Sequence, residues 1–133
     1  MVEITDRPIS PEAVVHRVKT TGSGCVVTYV GLIRQTSRGK EVSTVEYRDD
    51  GEATQRLQDI VSETRQKWPL EDVAFCHRVG KLKVGEINLV LAVASSHREA
   101  GFQACQYAID QFKKKLPTRK RETYQDGSVW VEE

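Results

Sequence analysis

Two short stretches of this chain gather side chains suited to holding an anion. The first is Ser95-Ser96-His97-Arg98-Glu99, which follows an apolar run and precedes an amphipathic one. Ser96 and Glu99 have the S-x-x-E spacing of a capping box, which predicts a helix start there and puts His97 and Arg98 in its first turn. Free backbone N–H groups and the helix dipole favour a negative charge at that end, so a basic pair there makes most sense beside an anionic ligand. An ordinary cap with two solvated side chains is the plainer alternative. The second stretch, Lys113 to Arg121, has six basic residues in nine and no acid. Lys113 to Lys115 also suit a solvated helix end, where cations complement the dipole. Arg119 to Arg121 follow Pro117 and need another reason, such as a phosphate or carboxylate ligand. No Phe, Tyr or Trp interleaves the run, so a stacking platform for single-stranded nucleic acid is weakly supported.

Other chemistries lack their residues. Ser95, Ser96 and His97 are sequence neighbours, not a nucleophile–base pair, and no G-x-S-x-G is present. His16, His77 and His97 share no metal-ligand spacing, which leaves His16 as a surface residue and His77 as a strand residue. Cys25, Cys76 and Cys105 fall on apolar stretches without a C-x-x-C, so buried reduced thiols are expected. Gly22 and Gly24 do not make a phosphate loop without a following G-K-[ST].

The elements that must position the basic residues follow from period and punctuation. Ser10-Pro11-Glu12 opens a short helix that ends at the Thr20–Gly24 stretch. Cys25 to Ile33 is continuously apolar and reads as a strand buried on both faces. A polar loop, 35–40, precedes a strand over 42–48 with Val45 and Tyr47 on one face. Ala53, Leu57, Ile60, Val61, Thr64 and Trp68 form a helical stripe that Pro69 terminates. Residues 73–79 and 87–93 alternate as an antiparallel strand pair joined by a turn-rich, glycine-bracketed connection. A long helix runs from about His97 to Lys115, with Phe102, Cys105, Ile109, Phe112 and Leu116 as its apolar stripe. Segments 121–124 and 129–131 flank Asp126-Gly127 as a closing hairpin. The order α-β-β-α-β-β-α-β-β predicts an α+β fold with a largely antiparallel sheet.

At 133 residues and a net charge of +1, the chain is expected to form a single domain, 1–133, not held to nucleic acid or membrane by bulk charge. No apolar run approaches a bilayer span, and the first residues lack the basic and apolar regions of a secretion signal, so a cytosolic location is expected.

The segments VTYVGLIR (27–34), VEY (45–47), HRVGKLKVGE (77–86), ASSHREAGFQACQYAIDQFK (94–113), LPTRKRE (116–122) and WVE (130–132) resemble the large, catalytic subunit of molybdopterin synthase, in order and spacing. The most specific feature is the S-x-H-R helix start with one lysine near the helix end and another seven residues later. The resemblance implies an α/β-hammerhead fold and a homodimeric core. It also implies a heterotetramer with two copies of a small ubiquitin-like sulfur carrier that ends in a Gly-Gly thiocarboxylate. The implied reaction moves two sulfurs onto cyclic pyranopterin monophosphate to give the dithiolene of molybdopterin, with no cofactor and no metal in this subunit. By the same resemblance, Lys113 and Lys120 are the catalytic candidates. Arg34, His97 and Arg98 line the substrate and carrier-tail pocket with them, and Leu32, Ile33, Arg121 and Glu122 are their first neighbours. Arg119 stands where the family usually has an aromatic, and Arg48-Asp49-Asp50-Gly51 replaces an acidic–aromatic stretch. A non-catalytic basic module that binds a phosphorylated ligand or RNA is the alternative, as is a scaffold that holds the carrier without chemistry.

Overall fold

The computed structural model describes residues 1–132. Strand β1 (Val2–Thr5) leads into helix α1 (Pro11–Val18), where the Ser10 hydroxyl caps by accepting from the Ala13 N–H. The edge strand β2 (Cys25–Leu32), the two-residue β3 (Thr36–Ser37) and the long β4 (Lys40–Arg48) follow. Helix α2 (Ala53–Lys67) begins in a loop whose Asp49 carboxylate accepts from the N–H groups of Gly51 and Ala53. Next come β5 (Asp72–Arg78), β6 (Gly80–Lys83), β7 (Ile87–Ser95), α3 (Arg98–Lys115), β8 (Arg119–Tyr124) and β9 (Val129–Glu132).

The strands form two sheets. One has the order β1-β5-β7-β2; its β5–β7 and β7–β2 pairs are antiparallel, and β1 joins β5 in parallel. Its two faces are covered by helices. Leu57 and Ile60 of α2 and Ala104, Ala108 and Phe112 of α3 pack on Val73, Phe75, Leu89 and Leu91, while Val14 and Val18 of α1 pack on Ala74, Cys76, Val90 and Ala92. The other sheet is antiparallel, ordered β3-β4-β8-β9 with β6 also on β4. It has its own small core of Ile33, Val42, Val45, Leu82 and Tyr124. The expected α+β character, the 73–79/87–93 pair and the closing hairpin are all present.

Four expectations change. The run from Cys25 is not buried on both faces: β2 stops at Leu32 and forms the sheet's edge, so Val30 and Leu32 are exposed. The turn-rich connection after Gly80 contains β6, because Leu82 is drawn into the second core. The capping box does not form. Helix α3 starts at Arg98 with His97 at the cap position and no side-chain cap bond; the Ser95 hydroxyl instead donates to the His97 carbonyl at 2.6 Å and the Ser96 hydroxyl to Gly22 O at 3.3 Å. Phe102, assigned to the apolar stripe, is 61% exposed; Gly101, Ala104 and Ala108 take the buried face, where their small size lets the helix approach the sheet closely. Strand β1 went unassigned because Val2–Thr5 is too short to show a period.

Candidate functional site: a cationic pocket between two sheets

Where the two sheets meet, a cavity of about 320 Å³ opens. The first sheet supplies Tyr29, Gly31 and Leu32 from β2 and Asn88 and Leu89 from β7. The second supplies Ser37, Val45, Tyr47, Lys120 and Glu122. Ile33 and Arg34 line it from the connector after β2, and Lys113 from the last turn of α3. Of the residues expected at the site, Leu32, Ile33, Arg34, Lys113, Lys120 and Glu122 therefore come together.

The alternation of β8 explains how. Lys120, Glu122 and Tyr124 point to the side of the second core, while Arg119 and Arg121 are exposed on the opposite face. Arg121 thus stands away from the cavity within one chain. His97 and Arg98 also stand apart, both exposed at the far end of α3 from Lys113. Fifteen residues of helix separate Arg98 from Lys113, or roughly 22 Å at 1.5 Å per residue.

Glu122 is the pocket's buried carboxylate. It accepts from the Tyr124 hydroxyl at 2.8 Å and the Ser37 hydroxyl at 3.0 Å, and lies 3.7 Å from Lys120 Nζ and 3.9 Å from Arg38 Nε. Arg38 also stacks on the Trp130 ring at 3.3 Å, which ties the β3–β4 hairpin to β9. Glu122 therefore orients Lys120 and anchors the hairpin. Lys113 has no carboxylate within ion-pairing distance among the described residues. Although much of its side chain reaches solvent, partial desolvation lowers its pKa below the usual lysine range; Lys120 and Arg34 add to the lowering, and Glu132 opposes it.

Behind the lysines is a neutral polar wall that the sequence reading missed. Tyr47 OH accepts from Asn88 Nδ2 at 3.0 Å, and burial pushes its pKa up to about 12, so it stays a phenol. Asn88 is skipped in the β2–β7 register, where Gly31 pairs with Leu89 and Leu32 with Ile87. Such a bulge re-aims a side chain next to a site. A Cβ on Gly31 would come within 2.8 Å of Asn88 Oδ1, so Gly31 leaves room for that amide. The available signal was one polar residue in an otherwise apolar strand, Ile-Asn-Leu-Val-Leu. Among the described residues, no group of three His, Cys, Asp or Glu side chains is arranged to hold a metal ion.

The arrangement offers three basic side chains, Lys120 held by Glu122, facing a neutral wall of hydroxyl and amide groups, with that one buried carboxylate beneath. It can neutralise two anionic groups on one or two reactants, and it contains an amine whose proton is loosened.

Comparison with known proteins fits this geometry. The pattern described as MoaE protein matches residues 4–115. The chain is 36% identical over 130 residues to the molybdopterin synthase catalytic subunit of Bacillus subtilis, covering 97% of this chain and 83% of that protein. It is 35% identical over 131 residues to the human protein of the same name, covering 98% and 70%. The crystal structure of molybdopterin synthase from Staphylococcus aureus superposes with a TM-score of 0.91 at 30% identity, covering 98% of this chain and 96% of that one. With this cationic pocket on this two-sheet frame, the chain belongs to the MoaE family of molybdopterin synthase catalytic subunits.

Proposed function

We propose that this chain is the catalytic subunit of a molybdopterin synthase and moves sulfur from the C-terminal thiocarboxylate of a small ubiquitin-like carrier onto cyclic pyranopterin monophosphate. The observation that carries this reading is the convergence of Arg34, Lys113 and Lys120 on one cavity in a chain of net charge +1. Both reactants are anions, and both need their charge neutralised to approach each other. Lys120, held by Glu122, serves as a fixed cation. Lys113 holds the second anion and, with its lowered pKa, can also give up and regain a proton. The neutral Tyr47–Asn88 wall suits the uncharged part of a heterocycle.

His97 and Arg98 enter this reading through a second copy of the chain. The edge strand β2 leaves Val30 and Leu32 exposed, and Phe102, one turn after Arg98, is exposed as well. A homodimer that covers these residues would bring the His97–Arg98 pair of one copy to the other's cavity, where Leu32 is a wall. The whole chain, 1–133, acts as one domain in this assembly. The free thiols of Cys25, Cys76 and Cys105 suit a reducing cytosol, and no helix among the described residues is long and apolar enough to cross a membrane.

The test is incubation of the purified chain with thiocarboxylated carrier and cyclic pyranopterin monophosphate, followed by assay of the dithiolene product. Product is expected at a rate proportional to the chain; carrier binding without product would leave only the scaffold reading.

A further inference from the structure

Lys113 and Lys120 are joined by a short segment whose shape sets their spacing. The helix ends at Leu116 with φ of 44°, a left-handed conformation unfavourable for a branched side chain, and Pro117 and Thr118 are buried. Two groups grip this turn. From the solvent side Arg56 donates to Pro117 O at 3.1 Å, while Asp50 holds the same guanidinium at 2.9 and 3.0 Å. From inside, the fully buried His77 lies 2.8 Å from Thr118 Oγ1 through Nε2 and 2.8 Å from Asn88 O through Nδ1.

The partners dictate the tautomer. A carbonyl can only accept, so Nδ1 carries the hydrogen, and the neutral Nε2 accepts from the Thr118 hydroxyl. The ring also stands edge-on to Phe112, adjacent to Lys113, at 5.3 Å, and to Tyr47, the cross-strand partner of Lys120, at 5.1 Å. One buried ring thus touches a neighbour of each lysine and bonds the turn between them. His77 itself is not part of the cavity wall.

We propose that His77 is a positioning residue that fixes the Leu116–Thr118 turn and, through it, the separation of the Lys113 and Lys120 amines. This rests on the reading that the two lysines act together in sulfur transfer. A side chain that only filled space would leave the lysines' properties unchanged when its hydrogen bond to the turn is cut.

Thr118→Val cuts that bond and nearly conserves volume; Thr118→Ser keeps a hydroxyl and serves as the rescue. Two quantities are read on protein shown to be folded by circular dichroism. One is product formation at saturating thiocarboxylated carrier and cyclic pyranopterin monophosphate. The other is the pH midpoint for acylation of Lys113 by acetic anhydride, mapped by mass spectrometry. For Thr118→Val, kcat is expected to fall about tenfold or more with KM changed less, since displacing a reacting group by an ångström costs up to about a hundredfold. The Lys113 midpoint is expected to shift as its burial and its distance from Lys120 change, with Glu132 and Arg34 the other charges that face it. Thr118→Ser should restore both. An unchanged kcat together with an unchanged Lys113 midpoint in Thr118→Val overturns the proposal, whatever happens to the melting temperature. If the native protein itself forms no product, the sulfur-transfer reading fails, and the acylation midpoint alone decides whether His77 positions the lysines.

Discussion

Replacing Lys113 separates two roles that its position allows. The side chain is a cation in the cavity wall and also an amine with a lowered pKa. Lys113→Ala removes both. A charge-assisted hydrogen bond contributes on the order of 1.5–3 kcal/mol, so loss of the charge alone predicts a decrease of roughly ten- to 150-fold. Lys113→Arg keeps the charge but cannot deprotonate at accessible pH. An unperturbed lysine leaves about one amine in 2,500 neutral at pH 7, and each unit of lowering raises that fraction about tenfold. If proton movement through Lys113 matters, Arg recovers little of what Ala loses. Single-turnover product formation with preloaded carrier measures this without product release. Lys113→Ala is expected to lose at least about a hundredfold and Lys113→Arg nearly as much, while Lys114→Ala, on a side chain outside the cavity wall, stays near normal. An Arg variant at close to native rate would refute the proton role, and an Ala variant at native rate would remove Lys113 from the chemistry.

Burial lowers the pKa of His77, so the unfolded chain binds its proton more readily; stability is full above about pH 6.5, falls as the pH drops through the unfolded value, and levels off below the folded pKa. Denaturant midpoints between pH 7.5 and 5 should show this fall, and His77→Gln should flatten it. In a randomised mixture of Lys113→Ala and Arg98→Ala copies, about one site in four carries both native residues if Arg98 acts across the dimer, so activity should reappear on mixing; none would return if each chain used its own Arg98. Burial raises the thiol pKa of Cys105 and raises that of Cys76 to about 11, which keeps both protonated at neutral pH. A Cys25/Cys76/Cys105→Ser variant should therefore retain most of its turnover per folded molecule while losing stability, by chemical denaturation, of about 1–3 kcal/mol for each buried hydroxyl left without a partner.

Helix α1 was legible through its Ser10-Pro11 start, and α2 and α3 because each carries enough residues to reveal a period: Leu57, Ile60 and Thr64 face inward as the α2 stripe requires. Phe102 shows the limit of that argument. It fits the period of α3, yet no element lies opposite it, and periodicity does not reveal where a sheet ends. The same holds for β2, whose apolar run looks like a central strand but whose outer edge meets nothing within the described chain. The lysine pair was visible through its spacing and resemblance, whereas Tyr47 and Asn88 depend on a register slip that no local pattern announces. The separation of Arg98 from Lys113 follows directly from helix length; which chain completes the site does not.

The two sheets have separate cores with no residue in common, and the pocket lies on the line between them. At that line the cross-links described above are polar: Asn88 to Tyr47 and His77 to Thr118, with one edge-on ring contact beside them. Mechanically this is a row of pins, not a weld. Interlocked apolar side chains resist shear by having to repack, whereas a buried directional bond such as His77–Thr118 resists it because stretching it strands two polar groups away from water. The width of the cleft is then set by a few directional bonds. A reactant with a charge at each end, bridging Lys113 on the first-sheet side and Lys120 on the second, would act as a strut that adds to them while the reaction proceeds.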